Sequence, residues 1–279
     1  MKTIEHTLQF QADAAEHKVD SARHPLRYTV QAMLAGAYIG VGVVLMVSAA
    51  GPLVAAGDGM AKLVSGLVFG VALTFVVFGG GELVTSNMMT LTQGVAMRSI
   101  RWWQGAGTML FSFTANMIGA FVFGGLVALS GVLHANAAGG EMLDGMLLAK
   151  AAESPAELFV RGILCNFLVC LAIWMSARVT SDGVKIALIF AAILAFITSG
   201  FEHVVANMTT FAIGFFTGAE GATAAAFGSN MLWVGLGNLV GGGLLIGLAY
   251  WFAGGRPTVH TGTLEPAPQT PEVAAASHR

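Results

Sequence analysis

Charge is what this chain has least of. Only 10% of its 279 residues are Asp, Glu, Lys or Arg, and 56% are hydrophobic, whereas a soluble domain carries roughly 25% charged residues. That balance excludes an ordinary water-soluble domain and implies an integral membrane protein. The formal net charge of -2 leaves no basic footprint for nucleic acid. Cysteine is nearly missing. Cys165 and Cys170 lie five positions apart in one apolar run, which excludes a disulfide framework and reads as two reduced packing residues. No signal peptide is expected, because residues 1–27 are polar, mix both charge signs and offer no small-residue cleavage site. Histidine is scarce at depth: His6, His17, His24, His134, His260 and His278 fall in the tails or a loop, and His203 is left alone in apolar surroundings. One histidine cannot build a multi-histidine metal or haem site, so neither metal nor cofactor is expected.

What is present is a series of long apolar runs. They predict an all-α fold with six transmembrane helices over 28–253, since about 20 apolar residues cross a bilayer core. The spans fall at 28–57, 63–97, 107–130, 158–177, 186–218 and 231–253. The second and fifth are interrupted, and the interruptions nearly copy each other. ELVTSNMMT at 82–90 aligns without a gap on EHVVANMTT at 202–210, with five of nine positions identical. Gly36 likewise matches Gly162, and Asn116 matches Asn238, at nearly the same offset. Three crossings per half is an odd number, so the halves are expected to be inverted repeats, and duplicated polar breaks in apolar helices mark a transport site.

If the N-terminus is cytoplasmic, only Lys62, Lys150 and Arg161 of the 13 Lys and Arg residues lie outside. This positive-inside pattern predicts a multi-pass protein of a bacterial-type inner membrane with both termini cytoplasmic. Ile4, Leu8, Ala12, Ala15 and Val19 predict an amphipathic helix within the N-terminal segment 1–27. The proline-rich segment 254–279 is expected to be a disordered tail.

His203 adjoins Glu202 inside a duplicated break, and ionisable groups within a membrane are usually functional. An imidazole there could lend a proton to a weak-acid anion, and the neutral acid would cross an apolar constriction that stops the anion. Glu82 and Glu202 are expected to support the breaks by accepting from freed backbone N–H groups or pairing at helix N-termini. Asn87 and Asn207 are expected to cap the resumed half-helices. Thr85 offers a hydroxyl to the permeant ion or to His203, or serves as a local turn former.

GELVTSNMMT (81–90), RGILCNFLVCLAIWM (161–175) and SGFEHVVANMTT (199–210) resemble the signatures of the formate/nitrite transporter family. LAGAYIGVGVVL (34–45) and NMLWVGLGN (230–238) look closer to its nitrite-channel branch. The resemblance implies an aquaporin-like fold assembled as a homopentamer, with a pore in each protomer. It makes His203 the central pore histidine, Thr85 the polar residue of the second-span break, Asn166 a polar residue facing the same vestibule, and Lys150 a lysine tuning the field around the histidine. Phe69 and Leu73 match an outer constriction, and Leu83, Val84 and Phe196 an inner one. Val84 departs from formate channels, which commonly place an aromatic residue there. The expected partners are nitrite, or formate or hydrosulfide in its place, together with protons and the bilayer. Both breaks read Asn-Met where aquaporins have Asn-Pro-Ala, which disfavours a neutral-solute channel. No nucleophile and base converge at depth, so an enzyme is not expected.

Overall fold

The computed structural model describes residues 1–259, and the remainder of the expected tail, 260–279, lies outside the described residues. Among the described residues every regular element is helical. Helix α1 (Ile4–Ser21) starts at Thr3, whose side chain accepts from the His6 amide. It buries Leu8, Ala12 and Ala15, three residues of the stripe read from the sequence. Helix α2 (Pro25–Ala55) opens on proline, which supplies a helical φ where its missing N–H is not needed. There follow α3 (Ala61–Gly79), α4 (Val84–Ala96), α5 (Trp102–Ser130), a short α6 (Val132–Ala135) and α7 (Ala137–Ala152). Helix α8 (Pro155–Arg178) carries a Ser154–Glu157 capping box. The chain continues with α9 (Asp182–Thr198), α10 (Val204–Thr217) and α11 (Ala224–Leu239), which passes through a π-helical stretch (Val240–Leu248) into α12 (Ala249–Ala253).

Five of these are long and apolar enough to cross a membrane: α2, α3, α5, α8 and the continuous stretch Ala224–Ala253. Helix α2 packs against α3, α5 and α7, α8 packs against α9 and α11, and α3 meets α9 between them. One large apolar core joins both halves. Much of the outer surface is apolar too. Leu110, Ile118, Val122, Leu126 and Leu129 of α5 are all exposed, an arrangement suited to lipid or a neighbouring subunit and costly in water.

Two interruptions position the site. Helix α3 stops at Gly80 (φ 72°), and α9 gives way to Gly200 (φ 74°), left-handed conformations that glycine adopts without a Cβ clash. Short extended stretches then lead to the N-caps Leu83 and His203, and the helices resume. Helix α7 was not foreseen, since its three glycines and three charges read as a loop. The predicted third span begins earlier than expected, at Trp102. The described part of the tail, 254–259, folds back on the bundle: Trp251 Nε1 donates to the Pro257 carbonyl at 2.9 Å, and the Val259 amide donates to the Met97 carbonyl at 2.9 Å.

Candidate functional site

Each break is held by an asparagine from a neighbouring helix, and the two sets of bonds match. Asn116 on α5 accepts from the Val84 amide at 2.9 Å and donates to the carbonyls of Glu82 (2.8 Å) and Ala32 (2.7 Å). Asn238 on α11 accepts from the Val204 amide at 2.9 Å and donates to the carbonyls of Glu202 (3.0 Å) and Gly162 (2.8 Å). Each break also sends a glutamate amide to the preceding span, Glu82 to the Gln31 carbonyl and Glu202 to the Arg161 carbonyl. Buried backbone polar groups need partners, and in an apolar medium a broken helix is tolerated only when its freed groups find them. Asn116 and Asn238 supply those partners.

Asn87 and Asn207 therefore do not cap the half-helices as expected. They sit one turn in and brace the break through its glutamate. Asn207 Nδ2 donates to Glu202 Oε2 at 2.6 Å and to Asn230 Oδ1 at 2.8 Å. Asn87 Nδ2 lies 3.4 Å from Glu82 Oε2, 3.3 Å from the Tyr28 hydroxyl and 3.3 Å from Ser112 Oγ. Of the two roles expected for the glutamates, neither carboxylate takes a freed backbone amide; each pairs with a lysine beside the start of a resumed helix. Lys18 of α1 reaches Glu82 Oε2 at 2.7 Å, and Lys150 of α7 reaches both carboxylate oxygens of Glu202 at 2.6 Å. The Lys150–Glu202 pair is nearly closed to solvent, with side chains 9% and 7% exposed. Just outside it, the Glu153 carboxyl, paired with Arg161, is pushed above the usual carboxylate range by burial first and then by the Glu202 charge, against the pull of Lys150 and Arg161.

The two halves meet at His203 and Thr85. Thr85 Oγ1 lies 3.0 Å from His203 Nε2, joining the first turn of α4 to the cap of α10, and both residues are buried. His203 Nδ1 accepts from the Ala206 amide at 3.1 Å. In the neutral ring the hydrogen must then sit on Nε2, aimed at the threonine hydroxyl. Asn166 braces the same place: its Nδ2 donates to the carbonyls of Thr85 (3.1 Å) and Asn238 (2.7 Å), so one side chain bridges both halves. Cys170, read as packing alone, adds its thiol to the Thr85 carbonyl at 3.3 Å. Phe196 lies along the imidazole with ring centres 6.1 Å apart, and the edge of Phe69 meets Phe196 at 6.0 Å. Leu73, Leu83 and Val84 are buried in the same large cluster as Phe69 and Phe196, and of the five expected constriction residues Phe196 is the one seen against the histidine. Among the described residues no group of His, Cys, Asp and Glu could hold a metal ion.

Sequence reasoning gave no structural role to Asn116, Asn238, Asn230 or Lys18. The first two carried a usable signal, as matched asparagines inside apolar runs. Lys18 and Asn230 carried none, since their partners are fixed by the fold.

A helical membrane protein with two braced breaks converging on one buried imidazole belongs to the class of channel-like transporters. The family model described as formate/nitrite transporter matches residues 5–252, and the chain belongs to that family. It is 39% identical over 245 residues to the nitrite transporter NirC of Escherichia coli strain K12, spanning 87% of this chain and 89% of that one. Its fold is similar to a solved FNT family ion channel with a TM-score of 0.80 at 36% identity, covering 89% of this chain and 98% of the other. It also resembles a pentameric formate channel with formate bound, with a TM-score of 0.70 at 27% identity, covering 83% and 98% of the two chains.

Proposed function

We propose that this chain is a channel for nitrite, with formate or hydrosulfide as the alternative small monovalent anion, and that the anion is transiently protonated at His203. The observation that carries the reading is the contact between Thr85 Oγ1 and His203 Nε2, 3.0 Å apart at the junction of both breaks and walled by apolar side chains. Membership of the family and the likeness to a nitrite transporter favour nitrite among the anions.

In this reading six crossings form two inverted halves in an aquaporin-like arrangement, and the matched Asn116 and Asn238 networks support the duplication. The protein sits in a bacterial inner membrane with both termini cytoplasmic, as a homopentamer, an assembly favoured by the pentameric structural relative. Attraction of the anion falls to the N-termini of α4 and α10, whose N–H dipoles are positive ends. Lys150 is committed to Glu202, so it offers the positive end of a nearly neutral pair and no free charge.

At the histidine, Nε2–H and the Thr85 hydroxyl bind the anion. Apolar collars at Phe69 and Leu73 and at Leu83, Val84 and Phe196 make passage as a neutral acid far cheaper than passage as an ion. The proton lent to the anion comes from the doubly protonated ring, which first takes a proton from the aqueous side and returns to neutral imidazole when it gives one up. A ring protonated at both nitrogens loses the Ala206 bond that caps α10, so the charged ring is a short-lived state. The test is flux into proteoliposomes for nitrite, formate and hydrosulfide across a pH gradient. Nitrite is expected to pass fastest, with flux rising towards acid pH. Faster passage of an uncharged solute such as glycerol would overturn the reading.

A further inference from the structure

Two arginines mark one end of the molecule. Among the described residues only Arg98 and Arg256 adopt positive φ without being glycine, at 63° and 59°. Both follow the C-terminus of a helix, where glycine is the usual choice and any side chain costs energy. Arg256 lays its guanidinium over Phe252, 4.6 Å from the ring centre. Arg98 is exposed and makes no ion pair or ring contact among the described residues, so the fold keeps a strained cation there without using it.

Its surroundings show what could use it. Arg98, Ser99, Arg101, Trp102, Trp103 and Gln104 line a cleft of about 460 Å³, with polar and apolar walls in similar measure, at the α4–α5 connection. Arg101 stands 5.1 Å from the Trp103 ring centre, and Trp102 and Trp103 are 68% and 50% exposed, as tryptophans are at the boundary between lipid and water. Val95 and Trp102 also line an adjoining apolar groove of about 370 Å³, with Ala106, Met109 and Leu239 along its sides. A further apolar cavity of about 350 Å³ continues past Met109 to Phe113. From Trp102 to Phe113 along α5 is about 16 Å at 1.5 Å per residue, close to half of a hydrocarbon core of about 30 Å. A cationic, aromatic-rimmed head site joined to an apolar groove one leaflet deep has the shape and polarity of a single phospholipid.

We infer that the cleft at Arg98 and Arg101 and the groove between α5 and α11 bind one anionic phospholipid, its phosphate on the arginines and an acyl chain along Ala106 and Met109. The groove's floor includes Leu91, Thr92 and Val95 of α4 and, deeper, Val84 and Met88, so the bound chain lies against the resumed half-helix that carries Thr85.

The test is native mass spectrometry of the full-length protein in detergent with phosphatidylglycerol or phosphatidylcholine. Wild type should retain phosphatidylglycerol about tenfold more strongly, since basic residues at a membrane surface each favour anionic lipid. Arg98→Gly and Arg101→Gln should reduce the preference towards parity, and Arg98→Lys should keep most of it. Arg98→Gly should leave thermal stability equal or higher, because glycine takes φ 63° freely; this separates lipid binding from a structural role. Ala106→Trp, which fills the groove, should lower retention of both lipids. Equal retention of the two lipids by wild type, or an unchanged preference in Arg98→Gly, would overturn the inference. So would dissociation of the oligomer by Ala106→Trp with lipid retention unaltered, which would make a neighbouring subunit the occupant.

Discussion

At the scale of single residues the account rests on a few polar atoms in an apolar setting, where each bond matters because no water replaces it. Thr85→Val keeps the shape and removes the hydroxyl that meets His203. Loss of a hydrogen bond worth about 1.4 kcal/mol should cut nitrite flux about tenfold, with Thr85→Ser near wild type, as read from initial uptake rates in liposomes. Lys150 and Glu202 should behave as a unit. Lys150→Met strands a buried carboxylate and should destabilise the fold by about 3–5 kcal/mol, whereas Lys150→Met with Glu202→Gln should recover most of that loss; denaturation of the three variants in detergent measures the coupling. His203 was legible from its solitude at depth and from the duplicated break beside it. Its contact with Thr85 was only one of several options for that hydroxyl, because 118 positions separate the two and the fold alone brings them together. The capping assignment for Asn87 and Asn207 failed for a related reason. A residue inside a polar break looks like a local cap, yet the freed amides are answered by asparagines from other helices.

Among elements, the two half-helices α4 and α10 depend on those remote asparagines. Asn238→Leu removes the partner of the Val204 amide and of the Glu202 carbonyl, while the Gly162 carbonyl, inside α8, keeps its helical bond. At about 1–3 kcal/mol per unsatisfied buried group, the variant should lose at least about 2 kcal/mol in detergent unfolding. Asn116→Leu should cost a similar amount if the halves are equivalent. The apolar runs of α2, α3, α5, α8 and Ala224–Ala253 could be read from the sequence because they are long, and Gly80 and Gly200 stand out where α3 and α9 end. Helix α7 could not, since AAGGEMLDGMLLAKAA lacks an apolar run of crossing length and is rich in glycine. Its order comes from packing on α2 and α10 and from the buried lysine it delivers to Glu202.

For the whole molecule, composition alone settled the solvent, and the exposed leucines and valines of α5 follow from it. Selectivity belongs to this scale too, because the proposed inner collar takes Leu83 and Val84 from one half and Phe196 from the other. Leu83→Ala should widen the inner slit and relax discrimination between nitrite and larger anions, measured as relative permeabilities in the same vesicles. The width of the proposed slit was not legible, because it depends on how Phe196 settles against His203 and Phe69, residues far apart in the chain. The most direct test of the central claim is nitrite flux through wild type and His203→Ala in proteoliposomes at a series of external pH values. The account predicts that wild-type flux climbs as the medium is acidified and that the variant loses most of its flux together with that pH response. Flux of ordinary size with an unaltered pH response in the variant would contradict it.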